Sequence, residues 1–213
     1  MAILFQARIS IGVFYALNHL TRTPIPKYFK RSMEFQSNAG QRTKDDIDPK
    51  ALNADEISES IMPHLLNLYG SCASSEDFEI YAPNAIFEDP LMRAHGVKQI
   101  KSAFYSLPKI FSESRIVEYT LKANTTAPGN AEVLIESKQH YKIFGKSVDL
   151  ASLIKLKMEH GKIVRHEDWW DKKPPKSRET VKLPVVGRAA EIARRGSMLV
   201  THVLMGFGKD PSP

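Results

Sequence analysis

The sequence predicts an α+β domain in which two amphipathic helices cover one face of an antiparallel sheet. Three observations carry this. Two stretches with apolar residues at helical spacing come early in the central region. Three long stretches with a period of two follow, joined by short turns containing glycine or asparagine. The short stretch Phe78 to Pro90 lies between the helices and ends in an apolar pair, two acids and a proline. Helices that precede a meander in this way form a two-layer arrangement.

The first helix is predicted to start at Glu56, with Asp55 as its cap and Glu56 and Glu59 favouring the positive end of its dipole. Ile57, Ile61, Leu65 and Leu68 form its apolar stripe. Pro63 is expected to kink it and Gly70 to end it. A strand is predicted over Ala85 to Glu88, closed by Pro90. Gly96 opens the second helix, with Val97, Ile100, Phe104, Leu107 and Phe111 on one face and Pro108 limiting its length.

Ile116 to Lys122 then alternates, and Pro128-Gly129-Asn130 turns the chain. Over Ala131 to Phe144, the residues Ala131, Val133, Ile135, Tyr141 and Ile143 share one face. Glu132, Glu136, Lys138 and Lys142 share the other. Gly145-Lys146 turns again. Val148, Leu150, Ile154, Leu156 and Met158 alternate with Asp149, Lys155 and Lys157. Glu159 to Lys162 makes a tight turn before a last strand, Ile163 to Trp170.

The charge is partitioned. Residues 1–33 carry a net +5 with no acid, residues 34–171 carry −5, and residues 172–213 carry +6. Two basic arms thus flank an acidic centre, and three regions are expected: an N-terminal extension and linker over 1–54, a core domain over 55–171, and a basic linker with a C-terminal helix over 172–213. The arms suggest an anionic surface such as lipid headgroups, or targeting, rather than nucleic acid. No zinc-finger spacing or RNA-binding aromatic signature is present.

Residues 1–20 are apolar and acid-free, but the uncharged run Ile9–Leu20 is too short to span a membrane. Two readings stay open for this segment: a cleaved organelle transit peptide, or a retained segment lying on a membrane or on the core. The single cysteine, Cys72, excludes an intrachain disulfide and suggests a reducing compartment. The expected location is intracellular, in the cytoplasm or at the endoplasmic reticulum surface. A plastid or mitochondrion is the alternative if residues 1–33 are a transit peptide.

The final helix is predicted from Pro184. Val185, Ala189, Ile192, Gly196, Leu199 and Val203 form its stripe, while Arg188, Glu191, Arg194 and Arg195 lie elsewhere. It can fold back on its own core, dock a partner or lie on a membrane, and Gly187 and Gly196 weaken it as an autonomous helix.

Two segments resemble motifs of the nuclear transport factor 2-like superfamily, which includes SnoaL-like polyketide cyclases, ketosteroid isomerases and scytalone dehydratase. Tyr81-Ala82-Pro83-Asn84-Ala85-Ile86-Phe87-Glu88-Asp89-Pro90 is similar to its first strand, with Asn84 where aspartate is usual. Gly161 to Asp171, GKIVRHEDWWD, is similar to its last strand. The resemblance covers roughly residues 53–171. It implies a cone-shaped, curved antiparallel sheet packed with N-terminal helices and a pocket between sheet and helices. It does not fix function, because the superfamily hosts enzymes, binding modules and trafficking adaptors. The arms resemble those of plant members, some of which are thought to assist oxidative terpenoid metabolism without catalysing a step.

The resemblance also implies where chemistry would sit. Such enzymes use an aspartate or a His–Asp pair as base, with a tyrosine or protonated acid polarising a carbonyl. The candidates are Asp89, His166 and Asp168. His166 and Asp168 lie two apart on one strand and are expected to share a face with Val164 and Trp170. Tyr69, Tyr81, Phe87, His95, Phe104 and Trp170 are the candidate pocket residues, with Tyr105 a further donor. For Asp89 the competing reading is a turn acid before Pro90. No cofactor or metal is expected, since the seven histidines are scattered and no phosphate-binding glycine loop occurs.

Two functions follow. The first is a non-catalytic module that binds a hydrophobic small molecule or a partner protein, such as a membrane-bound oxidase, with peripheral membrane contact. The second is a cofactor-free isomerase, cyclase or dehydratase acting on a hydrophobic ketone. A homodimer through the sheet is a further expectation.

Overall fold

The computed structural model describes residues 54–127, 129–181 and 184–211; the expectations for residues 1–53 lie outside these. The first helix, α1 (Ala54–Tyr69), buries Ile57, Ile61, Leu65 and Leu68, the predicted stripe. Pro63 lies within it on the exposed side and does not end it. Gly70 follows the last turn, where its N–H bonds the Leu66 carbonyl at 2.8 Å. A side chain there would meet that same oxygen at 2.7 Å, so only glycine fits.

After a single 3-10 turn (Glu76–Phe78) comes β1 (Tyr81–Glu88), four residues longer at its start than predicted. It is followed by β2 (Arg93–His95), a three-residue strand that periodicity does not reveal. Then come α2 (Val97–Tyr105) and a short α3 (Leu107–Ile110), separated by Ser106 and with Pro108 in the first turn of α3. Four strands complete the sheet: β3 (Glu113–Ala127), β4 (Asn130–Ile143), β5 (Lys146–Glu159) and β6 (Lys162–Trp170). The chain closes with α4 (Pro184–Leu204).

The six strands form one curved, unclosed sheet in the order β2-β1-β6-β5-β4-β3. The expected antiparallel sheet is mixed, because β1 pairs with β6 in parallel while every other neighbour pair is antiparallel. The reason is topological. β2, the helices and β3–β5 intervene, so β6 returns beside β1 in the same direction. The β4–β5 and β5–β6 turns are two-residue hairpins. Phe144 and Gly145, and likewise His160 and Gly161, all have positive φ, as the right-handed twist of the strands requires. The element order and the sheet make an α+β arrangement, with α1 and α2 ahead of the long β3–β6 meander and α4 after it.

One face of the sheet meets α1 and α2. Along β4 burial alternates without a break from Ala131 to Tyr141, and Leu150, Ser152, Ile154, Leu156 and Met158 repeat the pattern on β5. On β6 the register shifts between Lys157 and Met158 of its partner. This bulge inserts Val164 as an extra residue, so Ile163, not Val164, is buried with His166 and Asp168.

Candidate functional site

The strand β6 projects His166 and Asp168 into the interior, where they are 0% and 3% exposed. Position two apart on a strand gives both the same direction. The His166 ring lies within a cage of four predicted aromatic residues. Phe87 meets it edge-on at 5.0 Å between ring centres, and Tyr69, Tyr81 and Phe104 each lie at 6.1 Å. These four come from α1, β1 and α2, so the cage is the point where helices and sheet close on each other.

Both ring nitrogens are occupied. The Tyr81 hydroxyl lies 2.8 Å from Nδ1 and the Tyr69 hydroxyl 3.1 Å from Nε2. The neutral ring donates through one nitrogen and accepts through the other, so one tyrosine hydroxyl gives its proton to the ring and the other receives one from it. The result is a buried chain of Tyr81, His166 and Tyr69, with the Asp168 carboxyl in the electrostatic field of Tyr69.

Asp168 gathers donors of its own. Ser152 Oγ bonds Oδ1, and the Trp170 indole N–H reaches Oδ2 at 3.3 Å. The Tyr141 hydroxyl donates to Gln139 Oε1 at 2.7 Å. Ser137, Gln139 and Ser152 are buried polar residues that the sequence reading did not single out. A signal was present: each falls in phase with the apolar residues of its strand, where a polar side chain must find an internal partner.

Burial sets the protonation. It holds the His166 imidazole down to about 3, so the ring is neutral. Burial raises the Asp168 carboxyl, and the donors around it offset part of that. The Tyr69 hydroxyl is pushed well up by burial and then by the Asp168 charge, and the Tyr81 hydroxyl is raised by burial.

Asp89 lies nearby at the end of β1. Its Oδ1 accepts from the backbone N–H of Leu91 at 2.7 Å and of Met92 at 2.6 Å, forming the turn around Pro90. Burial pushes its carboxyl up to about 7, and Asp168 adds to the rise, while the turn amides and Arg194 oppose it. Asp89 therefore acts as a turn acid and also shares the field of Asp168.

Of the remaining candidates, His95 and Tyr105 lie apart from this network, and Trp170 borders it. His95 is exposed on β2, where its electrostatic neighbours are Arg195, Arg93 and Glu88. Tyr105 donates to Asp210 at 2.8 Å. Trp170 is half-buried on the Asp168 side. Trp169 is half-buried on the other, with Lys155 4.4 Å from its ring. Among the described residues, no three His, Cys, Asp or Glu side chains gather as a metal site.

Solved structures similar to this chain include an NTF2-like protein from Anabaena variabilis, 11% identical, covering 55% of this chain and 88% of that one with a TM-score of 0.47. A candidate polyketide cyclase from Xanthomonas campestris is 10% identical, covering 55% and 91% with a TM-score of 0.44. A candidate scytalone dehydratase from Novosphingobium aromaticivorans is 13% identical, covering 54% and 80% with a TM-score of 0.45. No family model matches the sequence, and no curated protein matches it.

Proposed function

We propose that the protein is a non-catalytic module that works by binding a hydrophobic small molecule or a partner protein, not by reaction at His166. The carrying observation is that both ring nitrogens of His166 are taken by tyrosines of its own fold. A general base must offer a lone pair to the substrate, and a neutral ring with both nitrogens engaged offers none. The two oxygens of Asp168 each accept one donor of the fold, from Ser152 and from Trp170. A fully satisfied buried network rigidifies a core.

A second reading has one specific observation in its favour. Asp89, raised to about 7, stands in the field of a second raised carboxyl, Asp168. Burial that holds a carboxyl near neutrality is how a cofactor-free isomerase, cyclase or dehydratase tunes an acid or base.

The two readings separate in one pair of measurements. Native mass spectrometry of the purified chain is expected to show a bound small molecule or protein partner. Hydrophobic cyclic ketones incubated with it in D2O are expected to exchange their α-protons no faster than in buffer. Exchange above buffer that vanishes in Asp89→Asn or His166→Gln would establish the enzyme instead.

A further inference from the structure

The helix α4 docks by its polar face. Gly187, Arg194, Met198 and Thr201 are its buried residues. Arg194 holds this face down by donating to Glu88 Oε2 at 3.0 Å, with further contacts to the carbonyls of Asp89 and Lys176. The predicted apolar stripe points the other way. Val185, Ile192, Leu199 and Val203 are exposed, at 81%, 66%, 48% and 59%, and Ala189 and Gly196 are exposed between them. Val186 and Val200 widen the band, and Phe207 extends it beyond the helix. Over a 21-residue helix this is an apolar strip about 30 Å long. Contiguous apolar surface of this size marks an interaction site.

A cationic row runs beside the strip. Arg188 lies between Val185 and Ile192, Arg195 between Ile192 and Leu199, each three or four positions from its apolar neighbours and so adjacent on the helix surface. Arg195 donates to the Arg93 carbonyl at 2.8 Å and to Gln99 at 3.1 Å, which joins the row to β2. Arg93, the exposed His95 and the exposed Lys98 continue it there. Three acids on this side are already engaged: Glu88 by Arg93, Arg165 and Arg194, Glu191 by Arg178, and Asp210 by Lys101.

From this juxtaposition we infer that the outward face of α4 lies on an anionic membrane surface, with the apolar strip in the headgroup boundary and the Arg188–Arg195–Lys98 row on the lipid charges. Charge decides the occupant. A second copy would set the same cationic row against itself, whereas anionic headgroups complement it. No helix of the described residues is long and apolar enough to cross a membrane, so the contact is peripheral. The inference goes beyond the binding role proposed above and does not depend on whether the interior is catalytic.

The test is flotation of the full chain with phosphatidylcholine vesicles, pure or containing about one-third phosphatidylserine. Binding to the mixed vesicles only, lost at high salt, is expected. Ile192→Asp with Leu199→Asp, both exposed and so tolerated by the fold, weakens it about tenfold or more. Arg188→Glu weakens it about fivefold or more. Two results would overturn the inference. One is unchanged binding in the double variant, which would place the contact in the basic arms. The other is absence of vesicle binding together with a dimer in sedimentation that the double variant dissolves, which would make the strip a self-interface.

Discussion

The hydroxyl of Tyr81 lies 2.8 Å from Nδ1 of His166, and the two rings are close to parallel. One residue comes from the first strand and the other from the last, and these strands are parallel neighbours in the sheet. The bond therefore fastens the two ends of the domain's chain inside its aromatic cage. Tyr81→Phe keeps the ring and removes the hydroxyl, leaving a fully buried imidazole nitrogen unpaired. It is expected to destabilise the protein by about 1–3 kcal/mol in urea unfolding. No loss would mean that the bond contributes nothing net.

Acid should unfold the protein through His166. Its folded value, about 3, lies below the ordinary histidine value of about 6.5. The unfolded chain thus binds the proton first, and stability falls as the pH drops from about 6.5 towards 3. Asp89 works in the opposite sense. Its folded value, about 7, lies above the ordinary aspartate value of about 4, so the folded state binds first and gains stability as the pH drops through that window. Removing Asp89 with Asn should therefore steepen the acid loss between about pH 7 and 4, while His166→Gln should flatten it below about 6.5. Urea midpoints across pH read both slopes. An Asp89→Asn slope equal to that of the parent would sink the assignment for Asp89.

Much of this fold was legible because the governing signals are local. The alternation on β4 named its buried face from Ala131 to Ile143, and the positive-φ turns at Gly145 and Gly161 set the hairpins. Tyr69, Tyr81, Phe87 and Phe104 were legible as pocket candidates, and the structure gathers all four around His166. What was not legible depends on distant partners. The apolar stripe of α4 reads as a docking face, yet Arg194 finds Glu88, 106 residues away, and turns the helix over. The strand β2 is too short to show a period, and the bulge at Val164 is a property of the pairing with β5, not of the strand itself.

That ion pair predicts an asymmetry. Glu88 is met by Arg93, Arg165 and Arg194, whereas Arg194 has its buried guanidinium on Glu88 and two carbonyls. Glu88→Gln strands a buried charge and should cost about 3–5 kcal/mol. Arg194→Met leaves Glu88 two guanidiniums and fills a similar volume, so it should cost less, about 1–2 kcal/mol. Hydrogen exchange should show α4 opening before the sheet in both. Equal losses, or an α4 as protected as in the parent, would contradict this reading of how the helix is held.

Two glycines of α4 should respond with opposite signs, because one faces the core and the other faces out. A Cβ at Gly187 would lie 2.4 Å from the Ser177 carbonyl oxygen and 2.7 Å from the Arg178 Cα, both backbone atoms that cannot yield cheaply. Gly187→Ala should therefore lose about 1–3 kcal/mol despite the better helix propensity of alanine. At Gly196 nothing lies within 4 Å of the added carbon. Gly196→Ala should stabilise the helix by up to about 1 kcal/mol. Were the apolar stripe the docked face, the two signs would exchange, so thermal unfolding of this pair of variants tests the orientation of α4 without reference to any ligand.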